Sequence, residues 1–182
     1  MKRLILSLFI AGLCTAPASE VAYNIKTKPK SELYELVPAP TVEYSVGQVY
    51  LVEQKLTLSN QNLECLAKNV YFEAAHEPVS RLSVAQVTMN RLASKKWGSD
   101  VCSVVLAKRQ FSWTNLTDQK ISDTKRWQAA VESARAYLDG ARVKGLESVM
   151  YYHADYIPLR VWAKKMKLVL RDGGHLFFES KS

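Results

Sequence analysis

From Val79 to about Ser94, apolar residues fall on two sides of a single helical wheel. Leu82, Ala85, Met89 and Leu92 line one side, while Val84 and Val87 occupy the other. A helix with one apolar stripe can lie on a surface, but a helix apolar on two sides has to be covered twice. This segment is therefore expected at the centre of the fold. Ahead of it, Leu63, Leu66, Ala67, Val70, Tyr71 and Ala74 repeat at helical spacing and predict an amphipathic helix over residues 63–75. Pro78 ends that helix or opens the next. Asp100 can cap a short helix through Val101–Ala107. A third long helix follows Ser122-Asp123, burying Trp127, Ala130, Val131, Ala134 and Leu138 and stopping at Gly140. The pattern then turns to β. Ser148–His153 is rich in aromatic and β-favouring residues, and Leu168–Leu170 and Leu176–Phe178 flank Arg171-Asp172-Gly173-Gly174, a hairpin signal. Helices first and a small antiparallel sheet last make the expected class α+β.

The beginning of the chain is an address. Lys2 and Arg3, an apolar stretch from Leu4 to Leu13 and the small-residue exit Ala16-Pro17-Ala18 have the layout of a secretory signal peptide, with cleavage expected before Ser19. Retention of residues 1–18 as a weak membrane anchor is the other reading. Leu13 is too large for the position ahead of a lipid-modified Cys14. Residues 19–61 hold three of the six prolines mixed with Lys, Glu and Ser, and read as an extended leader, with Val49–Val52 as a possible strand. Residues 62–182 are the expected folded domain. With 182 residues, 48% hydrophobic and 23% charged, the chain suits one globular domain plus an appendage. No uninterrupted apolar run reaches the roughly 18 residues of a membrane span, so a multi-pass membrane protein is excluded. The formal charge of +8 stays positive after loss of Lys2 and Arg3. A basic exported protein has cell-wall polymers, lipid head groups or nucleic acid as anionic partners, and the scatter of its basic residues supports nucleic acid poorly. Membrane contact is expected only transiently, through the signal segment, and the protein is expected to be monomeric.

Of three cysteines, Cys14 leaves with the signal. Cys65 and Cys102 form an even pair in a compartment that permits oxidation, and a bridge between them would stabilise the fold by roughly 4 kcal/mol through loop closure. The competing role for Cys102 is that of a nucleophile near a helix N-terminus. His76, His153 and His175 lack the paired spacing of metal ligands, so neither metal nor other cofactor is expected.

The residue with the most chemical promise is Glu73. At about 100° per residue, it falls on the shoulder of the apolar stripe, beside Leu66 and Val70 and near the helix C-terminal end. Desolvation and the electronegative helix terminus both favour its protonated form. A carboxylic acid that keeps its proton near neutrality is what general-acid cleavage of a glycosidic bond requires. The bland alternative is a surface glutamate paired with Lys68.

Around Glu73 the string LAKNVYFEAAHEPVSRLSVAQVTMNRL, followed by VCSVVLAKRQFSWT, MYYHADYIPLRVWAKK and GGHLFF, strongly resembles the SleB-type cell-wall hydrolase family. The likeness runs over roughly Leu63–Phe178, with the blocks in the family's order. It implies a predominantly helical, lysozyme-like domain with a small antiparallel β-hairpin sheet near the C-terminus. It also implies cleavage of peptidoglycan between N-acetylmuramic acid and N-acetylglucosamine, by a lytic transglycosylase or a muramidase. The family's catalytic glutamate maps onto Glu73, and its cysteines map onto Cys65 and Cys102, which favours the disulfide. Two departures stand out. The family usually continues Glu-Ala-Arg-Gly-Glu where this chain has Glu73-Ala74-Ala75-His76-Glu77, and the cysteine that often follows Phe-Ser-Trp-Thr is Asn115 here.

Substrate contacts are expected from two walls. Gln110, Phe111, Ser112 and Trp113 follow a helix end and form the first, with Phe111 and Trp113 also suited to core packing. Tyr151, Tyr152, His153 and Asp155 form the second, and His175 follows the glycine turn. His153 and His175 have structural alternatives, and Trp162 is expected in the core. Glu77, four residues after Glu73, would stand about 6 Å away on a continuous helix. It is either a second carboxylate or an acid that orients neighbours and caps the next helix. Two other classes compete: a wall peptidase using Cys102 with His153 or His175, and a non-catalytic peptidoglycan-binding envelope protein.

Overall fold

The computed structural model describes residues 48–74 and 77–181. The expected signal segment 1–18, the expected leader as far as residue 47, and His76 lie outside the described residues. The fold is α+β, with five helices and two small antiparallel sheets among the described residues.

The first strand, β1 (Val49–Leu51), belongs to the segment assigned to the leader, yet it is part of the domain. It pairs antiparallel with β2 (Ala141–Val143), Val49 opposite Val143. The chain then stays on the body: the Val52 N–H donates to Gly140 O at 2.9 Å, the Leu56 N–H donates to Leu138 O at 2.8 Å, and Leu56 and Leu58 pack on the core. Apolar side chains and ladder hydrogen bonds thus tie residues 49–58 to the body of the domain.

Helix α1 (Asn60–Glu73) opens earlier than the apolar spacing suggested, because Ser59 caps it by accepting from the Asn62 N–H at 3.3 Å. Helix α2 (Pro78–Ser94) carries Pro78 in its first turn, where no intrahelical N–H is needed. Helix α3 (Val101–Leu106) begins with a reciprocal capping box between Asp100 and Ser103. A short 3₁₀ turn follows at Ser112–Asn115. Helix α4 (Thr124–Leu138) is capped by Asp123. The two-sided helix lies where its pattern required: α2 packs against α1, α3, α4 and β2. The second sheet, β3 (Tyr151–Ala154), β4 (Lys167–Asp172) and β5 (His175–Glu179), has the order β3-β5-β4. Its β4–β5 turn has positive φ at Gly173 and Gly174, as the hairpin signal anticipated. At Gly173 a Cβ would also lie 2.2 Å from Ser80 Cβ, so the turn seats directly on the start of α2.

One face of this sheet joins the main core through Phe177, Tyr152 and Leu170. The other is covered by a one-turn helix, α5 (Val161–Lys164), over a small cluster of Ala163, Leu176 and Phe178. Trp162, expected in the core, borders that cluster against Tyr151, His153 and Phe178 and keeps part of its ring exposed.

Between α2 and the second sheet runs a connection held by polar side chains of α2. Gln86 donates to Val143 O at 3.4 Å and accepts from the Val143 N–H at 2.7 Å. Asn90 donates to Leu146 O and Val149 O at 2.7 and 2.9 Å, and Arg91 Nε donates to Met150 O at 2.8 Å. Among the described residues no helix is long and apolar enough to cross a membrane.

Cys65 on α1 and Cys102 on α3 are joined, closing a separation of 37 residues. Replacing both by serine should lower unfolding stability by about 4 kcal/mol, read as a lower urea midpoint with the folded spectrum retained. Replacing Asn90 by alanine strands its two carbonyl partners and should cost about 2 kcal/mol, measured the same way.

Candidate active site

Glu73 is the last residue of α1, and its position follows from the helix's own end. Ala74 is already extended and gives its N–H to Val70 O, which terminates the helix and leaves the Glu73 side chain at the rim of the core. Its carboxyl is largely buried and accepts a hydrogen bond from the Tyr152 hydroxyl at 3.2 Å. Burial pushes the Glu73 pKa above the ordinary carboxylate value, opposed by the Tyr152 hydrogen bond and by the charge of Arg91. Tyr152 stands on β3, and burial together with the Glu73 charge holds its hydroxyl well above the usual phenol range. It therefore stays a hydrogen-bond donor to the carboxyl.

Behind this pair lies Arg91 of α2, buried, with its guanidinium carbon 5.0 Å from the Phe111 ring centre and 5.7 Å from those of Tyr152 and Trp97. Burial pulls its pKa down, while Tyr152 and Glu73 pull it back up. Nε is spent on Met150 O, and Nη1 is buried with no hydrogen-bond partner among the described residues. The result is a cation held by aromatic faces beside a carboxyl with little water to screen either.

The structure sorts the expected substrate contacts. Tyr152 touches Glu73. His175 packs edge-on against Tyr152 at 5.1 Å; burial lowers its pKa, partly offset by Asp155, so its ring is neutral at neutral pH. His153 is on the same strand as Tyr152 but one residue along, so it points to the opposite face. There it stacks on Phe178, and its Nδ1 lies 2.7 Å from Ala154 O. Phe111 and Trp113 are only 3% and 4% exposed. Trp113 stacks on Phe72 at 4.7 Å and donates its indole N–H to Asn69 Oδ1 at 2.9 Å, and Asn69 in turn donates to Thr88. Both rings thus form the packed backing of the site, and their faces are occupied by protein. Ser112 is exposed and Gln110 half-exposed at the same loop. The Asp155 carboxylate pairs with Arg171 at 3.3 Å.

Glu77 does not stand one turn above Glu73. The helix ends between them, and Glu77 is exposed in extended conformation at the N-cap of α2, without a capping hydrogen bond from its side chain. Its charge, after burial, contributes to raising the pKa of Asp172, which accepts from Ser83 Oγ at 3.3 Å. Cys102, bonded to Cys65, offers no thiolate, which removes the nucleophile of the peptidase reading. Among the described residues no group of three or more His, Cys, Asp or Glu could hold a metal ion.

Arg91, Asn69 and Asp172 are the participants that the pattern reading passed over. Arg91 lies in the V-A-Q-V-x-x-N-R string, where a cation on a helix otherwise apolar on two sides was itself a signal. Asp172 was absorbed into the turn. Two surface cavities lie elsewhere. One of about 340 Å³ adjoins Cys102 and Asp100, and one of about 490 Å³ lies between α2 and the β1 segment.

The chain belongs to the cell wall hydrolase family, whose profile matches residues 77–178. That stretch holds Arg91, Tyr152 and His175, and begins just after Glu73. A similar solved structure is the catalytic domain of the Bacillus cereus SleB protein, 19% identical, covering 70% of this chain and 97% of that one with a TM-score of 0.56. At that identity the likeness concerns the fold. No curated protein matches the sequence.

Because its folded pKa is raised, Glu73 favours the native state most below the ordinary carboxylate range, and this contribution is lost as pH rises through the folded pKa. Glu73→Gln should therefore unfold at a higher temperature than the wild type at neutral pH, with the gap closing at acidic pH. Thermal scans across pH check this. Tyr152→Phe removes an interaction that lowers the Glu73 pKa, so the carboxyl should titrate higher still, as followed by NMR of labelled glutamate.

Proposed function

We propose that this protein cleaves the glycan strands of peptidoglycan between N-acetylmuramic acid and N-acetylglucosamine, with Glu73 as its one catalytic acid and base. The observation that carries this reading is a largely buried carboxyl, raised in pKa, held by the Tyr152 hydroxyl and faced by a buried guanidinium. Membership of the cell wall hydrolase family supplies the substrate class.

In the first step Glu73 gives its proton to the glycosidic oxygen as the bond from C1 of the muramic acid residue breaks. Glu73 is then a carboxylate in a poorly hydrated place. The Tyr152 hydroxyl and the Arg91 charge stabilise that anion, so the features that oppose the raised pKa at rest lower the cost of reaching the ionised state. In the second step Glu73 takes a proton back. If it comes from the muramic acid 6-hydroxyl, that oxygen closes on C1 and an anhydro ring forms; if it comes from water, a reducing end results. Neither route requires a second carboxylate as nucleophile, consistent with the exposed position of Glu77. Exposed Ser112 and half-exposed Gln110 are the parts of the first wall left free for sugar hydroxyls. Action on peptidoglycan and the signal-like residues 1–18 together favour an exported protein of the periplasm or cell envelope.

Incubation of purified sacculi with the protein should release soluble muropeptides, and Glu73→Gln should reduce release by about a hundredfold or more while remaining folded. Mass spectrometry of the fragments distinguishes the anhydro terminus from the reducing one. Undiminished release by the folded Glu73→Gln variant would refute the assignment of the acid, and binding to sacculi without any release would favour the non-catalytic wall-binding reading.

A further inference from the structure

On the reverse side of the second sheet from Tyr152, the segment that carries α5 has an unusual surface. Tyr156 is 85% exposed, Val161 74%, Leu159 47% and Trp162 37%. From residue 156 to residue 171 the sequence has no aspartate or glutamate but contains Arg160, Lys164, Lys165, Lys167 and Arg171. Lys167 pairs with Glu179 and Arg171 with Asp155. Arg160, Lys164 and Lys165 are exposed and have no ion-pair partner among the described residues. Local packing sets this arrangement. Ala163 is buried against Leu176 and Phe178, which turns Val161, Lys164 and Lys165 outward, while Trp162 lies along the edge against Tyr151, His153 and Phe178.

We propose that this face docks the protein on an anionic lipid bilayer, with Tyr156, Leu159, Val161 and Trp162 entering the interface and Arg160, Lys164 and Lys165 meeting the lipid phosphates. Charge complementarity calls for an anionic partner, and the aliphatic side chains decide which one. A glycan or phosphate polymer can use the cations and the aromatic faces but gives Leu159 and Val161 nothing to bury them. The headgroup–acyl boundary takes up aliphatic and aromatic side chains and attracts basic residues at the same time. Strand alternation gives the docking a direction. Tyr151 and His153 face this patch and Tyr152 faces Glu73, so a protein seated on the membrane through α5 holds its acid on the side away from the lipid. The inference does not depend on the glycosidase reading.

The test is flotation of the full chain with vesicles of phosphatidylglycerol in phosphatidylcholine and with vesicles of phosphatidylcholine alone. It compares the wild type with the triple variant Arg160→Gln, Lys164→Gln, Lys165→Gln. Residues 1–47 are common to both chains, so the difference between them reports the patch. Binding to the anionic vesicles should fall roughly 100-fold in the triple variant and weaken in high salt. Tyr156→Ser with Val161→Ser leaves the charge intact and should weaken anionic-vesicle binding about tenfold. Release of fragments from purified sacculi should be unchanged in both variants, which separates this proposal from the assignment of Glu73. Equal vesicle binding by wild type and triple variant overturns the proposal, as does indifference to the Tyr156–Val161 replacement. Loss of sacculus binding in place of vesicle binding overturns it too and assigns the patch to the wall.

Discussion

The arrangement depends on the polar side chains that α2 turns toward residues 143–150. Gln86 completes the hydrogen bonds of Val143 much as a neighbouring strand would, Asn90 holds two carbonyls of the following turn, and Arg91 holds the carbonyl of Met150. Buried backbone groups on an irregular connection need partners, and here a central helix supplies them in place of a sheet. The chain leaves that clamp directly into β3, so the same contacts set where Tyr152 stands. One helix thereby fixes both the backbone that delivers the phenol and, through Arg91, the charge beside it.

The electrostatics of the site follow from this placement. A carboxyl at the rim of a core, a phenol and a guanidinium share a volume with little water, and each shifts the others. Burial raises the Glu73 pKa, whereas the phenol and the cation lower it, and burial is the largest of the three effects. The sheet that bears Tyr152 has a second face, and α5 covers it with so small a helix that several apolar side chains remain outside. Alternation along β3 therefore separates a buried, chemically tuned side from an exposed, basic and apolar one.

Much of the fold was legible in the sequence. Asp100 and Asp123 announce helix starts, Pro78 a helix boundary and Gly173-Gly174 a turn, because caps and turns are local chemistry that a few neighbouring residues decide. The two-sided pattern of α2 announced a central helix for a similar reason. What escaped was non-local. Val49–Val52 is legible as a possible strand, but its partner is not, because a three-residue strand carries almost no pattern and only pairing with β2 ties it to the domain. Phe111 and Trp113 could equally have faced a sugar or the core, and residues distant in sequence, Phe72 and Asn69, decided the matter by occupying the Trp113 ring face and its N–H.

By itself the sequence determined the α+β class, the central helix, the pair of cysteines and the candidate acid, since periodicity, spacing and residue type are properties of short stretches. Only the tertiary structure decided which groups meet that acid. Tyr152 and Arg91 lie far along the chain from Glu73, and their approach depends on the clamp between α2 and residues 143–150. It likewise parted Glu77 from Glu73 by ending α1 between them, and sent neighbouring residues His153 and Tyr152 to opposite faces of one strand. The physical reason is the same in each case: burial and charge act through space, and the pattern of a sequence encodes proximity only within a few residues.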